Sequence, residues 1–317
     1  MKVNQYTNIY TVLKWGFSIL SFLFFYQSIN ELDWDSHFVP LFKSAFKSYP
    51  LGFIGVFLMV ILNWNFEAMK FKILLKSKSL SRIRLFFTVL GGTAISNFTP
   101  ARSGEYIGRS LLLRGIHPIR VTIATVAGNL AQVLMTYGIG LLSIFIVYVF
   151  FDFYDQWADQ NSYILAIILC FLLLLFILLS KRIIQLLSRV LPSKISSFFK
   201  LVQHYNFSVY GRVVFLSFLR YCVFSAQLFI LLQLFSDFSL PLNLLWLVPV
   251  AFLLQSIVPI PAISDIGVRV GVCGLLFGDY VSNIALVQSV TCLWAINLIL
   301  PGVIGSFFLL ISNFIKE

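Results

Sequence analysis

Asn97-Phe98-Thr99-Pro100-Ala101-Arg102-Ser103-Gly104-Glu105-Tyr106-Ile107-Gly108-Arg109 is the stretch whose reading decides the fold. It holds two arginines and a glutamate, and it interrupts a chain that is apolar on either side, at Leu85–Leu90 and Leu111–Leu113. Those flanks put it at membrane depth, where an unpaired charge costs about 3 kcal/mol on insertion scales. Ionisable residues kept at that cost mark a candidate functional site.

Composition agrees with that depth. Of 317 residues, 59% are hydrophobic and only 11% are charged, with a mean hydropathy of +0.93. Runs such as Tyr163–Ser180 and Leu298–Ile311 are continuously apolar. They lack the short alternating segments of a β-barrel, and they predict an all-α polytopic membrane protein. The first apolar run, Val12–Ile29, has no small-residue cleavage site and reads as a retained helix. Cys170, Cys222, Cys273 and Cys292 lie within apolar segments without metal-ligand spacing, and read as buried thiols. The net charge of +11 gathers in short connections between apolar runs, where it sets orientation. No basic stretch interleaved with exposed aromatics is present, which excludes nucleic acid as a partner.

Six spanning helices are predicted, over about 10–29, 51–69, 119–149, 162–180, 213–235 and 283–313. Glu31–Pro50 and part of the linker 181–212 carry apolar residues at helical spacing, as interfacial helices do. Leu85–Gly115 and Leu242–Gly278 each break near the middle. Arms of about 14 residues reach about 21 Å, short of a hydrocarbon core about 30 Å thick. Two oppositely oriented re-entrant hairpins are therefore expected, the first entered from the cytoplasm. Counting 242–278 as two full spans gives the same end points. Of 23 Lys/Arg residues, 17 then fall on inside segments, two outside and four within the membrane. Both termini are expected in the cytoplasm, and residues 1–317 form one membrane domain with a cytoplasmic linker at 181–212.

The two breaks resemble each other. Pro100-Ala101-Arg102-Ser103 is followed by Glu105, Ile107-Gly108 and Arg109, while Pro261-Ala262-Ile263-Ser264 is followed by Asp265, Ile266-Gly267 and Arg269. With the predicted topology, this makes 51–149 and 213–313 an inverted repeat, whose broken helices in many transporters meet at a substrate site. Arg102, Glu105, Arg109, Asp265 and Arg269 are the expected headgroup site. Asn97, Ser103, Ser264, Glu67 and Asn129 supply further polar groups. A serine and a carboxylate open each return arm, a helix start whose free N–H groups attract anions. Arginine forks bind phosphate bidentately. Glu105 with Arg109, and Asp265 with Arg269, stand at i,i+4 spacing, so each pair can also close locally and serve only the fold. Arg102 has no such local partner. His37, His117 and His204 lie far apart in loop or interfacial positions. No catalytic or metal motif is found, so no cofactor and no enzyme activity are expected.

The run Asn97-x-x-Pro100-x-Arg102-x-Gly104-Glu105-x-x-x-Arg109-x-x-Leu112-Leu113 resembles the signature of the flippase-like membrane domain of lysylphosphatidylglycerol synthases and their stand-alone relatives. Pro259–Val270 is similar to the family's second signature, a proline-rich break before Gly-Gly-x-Gly-Val-x-Glu. It departs where Ser264-Asp265 replaces Gly-Gly and Val270 replaces the glutamate. The resemblance spans essentially the whole chain. It implies movement of a polar or anionic-headgroup lipid between leaflets of a bacterial or archaeal cytoplasmic membrane. The aminoacyl-transfer domain that follows in the synthases is not found before Glu317, so lipid aminoacylation by this chain is not expected. A membrane enzyme acting on a polyprenyl-phosphate or phospholipid substrate is the alternative, and a non-transporting partner of a separate lipid-modifying enzyme is a third reading.

Overall fold

The computed structural model describes residues 39–76, 80–97, 104–113, 115–150, 206–257 and 265–312. The expected spans over 10–29 and 162–180, most of the linker 181–212, and both hairpin tips lie outside the described residues. The described residues form helices and turns, and no strand occurs among them.

Helix α1, Val39–Ser48, falls within the segment Glu31–Pro50, whose apolar residues were expected at helical spacing. The Phe42 and Phe46 rings pack on Phe53, with centroids 5.9 and 5.4 Å away. Helix α2, Pro50–Leu75, starts on a proline, whose missing N–H is no loss in a first turn. It ends where Lys76 turns left-handed at φ 49° and donates its N–H to Ile73 O. Helix α3, Arg82–Ser96, is capped by the Ser81 hydroxyl, which accepts from Arg84 N at 3.2 Å. Helix α4, Gly104–Leu112, has only 9 residues. Gly115 at φ +91° turns the chain into α5, Pro118–Phe150. Helix α6, Phe207–Phe235, leads into a turn that Gln233 clasps, donating to Leu240 O at 2.7 Å and accepting from Leu240 N at 3.3 Å. A 3-10 turn at Leu242–Trp246 precedes α7, Leu247–Ile257. Then come α8, Asp265–Phe277, and α9, Asn283–Trp294. A π turn over Ala295–Ile299 joins α9 to α10, Leu300–Ser312.

Four of these stretches are long and apolar enough to cross a membrane: Pro50–Leu75, Pro118–Val149, Ser208–Phe235 and Asn283–Leu309. The chain is an all-helical, multi-pass membrane protein. Helices α3, α4, α7 and α8 are too short to span, with α4 reaching about 13 Å. The first arm of each broken segment is longer than or similar to its return arm in length, so the equal arms of the first expected hairpin become 15 and 9 residues.

Helix α2 runs antiparallel to α6, because Gln227 donates to Val56 O at 3.0 Å while Arg220 reaches Asn63 at 2.9 Å. Arg120 of α5 donates to Leu75 O at 2.5 Å. The Leu75, Pro118 and Phe207 ends therefore gather on one side. Helix α3 packs on α10 and α7 packs on α5, so each broken segment meets the last spanning helix of the other half of the chain. The contact of α3 with α10 is close: a Cβ at Gly305 would collide with Leu90 O and Gly91 N. Ile54, Leu58 and Ile61 of α2 and Val303 and Phe307 of α10 stay exposed on the outside, as lipid-facing side chains do.

Candidate functional site: a buried charge cluster

Helix α4 is placed by glycine. A Cβ at Gly108 would lie 2.6 Å from Gly91 O and 2.8 Å from Gly92 Cα, so the backbones of α3 and α4 touch. Gly91 faces Leu112 and Gly92 faces Glu105, which makes the two helices antiparallel. The same spacing sorts the faces of α4. Glu105, Gly108, Arg109 and Leu112 turn inward, and Ile107 and Leu111 turn outward. On the outer side, Tyr106, Ile107, Ser110 and Leu111 line a groove of about 340 Å³ together with Pro118 and Thr122 of α5.

The inward face meets Glu67. Its carboxylate lies 3.1 Å from Arg109 Nη2 and 2.6 Å from Lys70 Nζ, and it also accepts from Arg220 Nη1. Arg109 donates to Glu105 as well, and Asn129 Nδ2 donates to the other Glu105 oxygen at 3.1 Å. Glu67, Lys70 and Arg109 are each only 1% exposed, so their charges are shut off from bulk solvent. Aromatic faces cover the guanidiniums: Arg109 lies 4.7 Å from the Phe71 centroid and Arg220 lies 5.1 Å from that of Trp64.

The cluster continues through amides. Arg220 Nε donates to Asn63 Oδ1 at 2.9 Å, and Asn63 Nδ2 donates to Asn297 Oδ1 at 3.1 Å. Asn297 Nδ2 donates to Gln227 Oε1 at 3.2 Å, inside the π turn. Along their helices, Glu67, Asn129 and Arg220 stand about 12, 17 and 20 Å from the gathered ends, at 1.5 Å per residue. They lie well inside helices that are long and apolar enough to cross a core about 30 Å thick.

Among the residues expected from sequence, Glu67, Glu105, Arg109 and Asn129 come together here. Glu105 does pair with Arg109 across one helical turn, and it reaches α5 at the same time. Asn97 sits apart, at the end of α3. Its Nδ2 donates to Leu298 O at 3.1 Å, and its Oδ1 is buried without a hydrogen-bond partner among the described residues. Arg269 lies on α8, half-buried, and Asp265 begins that helix. Arg102, Ser103 and Ser264 lie outside the described residues.

Two charged members were missed. Lys70 was expected in the cytoplasmic positive cluster, yet α2 continues to Leu75 and carries Lys70 inside. Its signal was the i,i+3 spacing from Glu67, the single carboxylate of the run 51–75. Arg220 was counted within the membrane but not assigned. As the single charge in 213–235 it needed a carboxylate partner, and Glu67 was the obvious one.

The lysylphosphatidylglycerol synthase TM region family matches residues 12–305. The chain belongs to that family. It is therefore a membrane protein tied to phospholipid metabolism, and the family match covers every element that builds the charge cluster. No curated protein and no solved structure matches the chain.

Proposed function

We propose that the protein is a lipid translocator that moves a polar or anionic-headgroup lipid between leaflets of a bacterial or archaeal cytoplasmic membrane. The observation that carries this reading is the cluster around Glu67, which gathers Arg109 and Arg220 in the interior from two different elements. A phosphate headgroup crossing the core needs a cationic relay within it, and guanidiniums offer it bidentate donors. In the described conformation, carboxylates occupy those donors. A lipid phosphate takes their place when α4 moves away from α2. Short α4, following the polar stretch Asn97–Gly104 and held by glycine contacts, is the element able to make that movement. Arg102, at the break, receives the headgroup first, and Asp265 and Arg269 act at the second break. The exchange of partners between halves, α3 on α10 and α7 on α5, supports the inverted-repeat arrangement, with both broken segments as re-entrant hairpins.

The groove beside Tyr106 and Ser110 gives the acyl chains a path along α4 while the headgroup passes inside. No cofactor enters the scheme. The lipid arrives from, or leaves to, a separate lipid-modifying enzyme. The cytoplasmic side is the one where Leu75, Pro118 and Phe207 end, next to Lys72, Lys76, Arg82 and Arg84.

The test is leaflet exchange of fluorescent phosphatidylglycerol in vesicles containing the purified protein, compared with protein-free vesicles. Faster exchange with protein is expected, with no chemical change to the lipid. A modified lipid formed in detergent, together with no exchange in vesicles, would replace the translocator with an enzyme.

A further inference from the structure

We propose that Lys70 is the proton-carrying group of the cluster, so that an anionic lipid and one proton move together in the same direction. This rests on the translocator reading. Among the described side chains, Lys70, Arg109 and Arg220 face only Glu67 and Glu105, which leaves a surplus of one positive charge in a water-poor interior. An uncompensated buried charge is costly, and the group able to neutralise itself does so. The two guanidiniums keep their protons, and lysine is the cation that can release one.

The surroundings of Lys70 fit this role. Its Nζ lies 2.6 Å from Glu67 Oε2, an oxygen it shares with Arg220, and no other acceptor reaches it among the described residues. An ammonium brings three N–H donors, so a single shared oxygen leaves it poorly satisfied; an uncharged amine loses less. The charged groups around it are Glu67 on its own helix, Arg109 and Glu105 on α4, and Arg220 on α6. Helix α5 lays Gly128 against the lysine stem, and its next residue, Asn129, is uncharged and donates to Glu105.

With Lys70 unprotonated, the charges of the cluster cancel. A lipid phosphodiester that enters beside Arg109 and Arg220 brings one negative charge. The Nζ lone pair then takes a proton from water on the side the lipid came from. When the lipid leaves for the other leaflet, the N–H bond breaks and the proton passes to water on that side. Charge balances at both ends, with one proton for each monoanionic headgroup.

The experiment uses full-length protein in vesicles, fluorescent phosphatidylglycerol and a pH difference of one unit. One proton per lipid predicts a leaflet ratio displaced about tenfold toward the alkaline side, since a tenfold ratio matches about 1.4 kcal/mol. Lys70→Arg and Lys70→Met cannot exchange a proton, and their ratio is expected to stay at one, whatever rate they retain. Wild-type exchange with a ratio of one at every gradient would overturn the proton link and leave translocation standing. No exchange by the wild type would overturn both. Should neither variant fold, phosphatidylglycerol is added to wild-type protein in weakly buffered detergent containing a pH indicator. Uptake of about one proton per bound lipid supports the assignment, and no uptake overturns it.

Discussion

Glu67 holds Lys70, Arg109 and Arg220 at once, so its loss weakens three contacts and leaves Arg220 with only the neutral Asn63 among the partners described above. Breaking a buried pair by removing one partner costs about 3–5 kcal/mol. Glu67→Gln is expected to lower stability by at least that much, read as an earlier unfolding transition in detergent. Glu105→Gln is expected to cost less, because Arg109 then keeps Glu67 and Asn129 is an amide able to re-pair. Equal stability for wild type and Glu67→Gln would show that the carboxylate is not the hub. At this scale the sequence was informative in a specific way. The polar break pointed to Glu105 and Arg109, and Glu67 stood among the further polar groups, whereas Arg220 was counted within the membrane without being assigned. Lys70 was hidden by the positive residues that follow it, Lys72 and Lys76, because charge density alone does not say where a helix leaves the membrane.

The elements are held together by missing side chains as much as by present ones. Gly108 against Gly91 and Gly92 brings α4 onto α3, and Gly305 against Leu90 and Gly91 brings α10 onto the other side of α3. Gly108→Val is expected to push α4 outward, to separate Arg109 from Glu67, and to reduce both thermal stability and lipid exchange. Gly211→Ala provides the control, since a Cβ there meets nothing within 4 Å and stability should hold or rise, by up to about 1 kcal/mol. The small residues of α4 were visible in the sequence as a Gly104/Gly108 pair. Their partner was not, because nothing local says which glycine of a distant helix will face them. The π turn at Ala295–Ile299 was also illegible as such, although Pro301, which lacks the N–H an α-helix would use, stood as its warning.

For the whole molecule, the antiparallel pairing of α2 with α6 puts Lys76 and Arg212 on one side of the membrane and Asp237 on the other. In a background with its four cysteines replaced, Lys76→Cys and Arg212→Cys are expected to react with an impermeant thiol reagent from one side only, and Asp237→Cys from the opposite side. Labelling of all three from one side would contradict the pairing. The helical, polytopic class was legible from continuous apolar runs, and the four long described helices agree with it. The shortness of α3, α4, α7 and α8 was legible from the breaks at Asn97–Gly104 and Pro259–Asp265. What sequence could not supply was the third dimension: Asn129, Arg220 and Asn297 come from three helices far apart in the chain. Only packing determines that they share one polar network.

The most direct measurement is leaflet exchange of fluorescent phosphatidylglycerol by vesicles containing wild type, Arg220→Gln or Arg212→Gln. Both variants remove one positive charge from α6, the first inside the cluster and the second at the exposed start of the helix, where Arg212 donates to Ser208 O. Passage through the cluster predicts that Arg220→Gln slows exchange at least tenfold, about 1.4 kcal/mol in the barrier, while Arg212→Gln keeps the wild-type rate. Wild-type exchange by folded Arg220→Gln would contradict passage through the cluster.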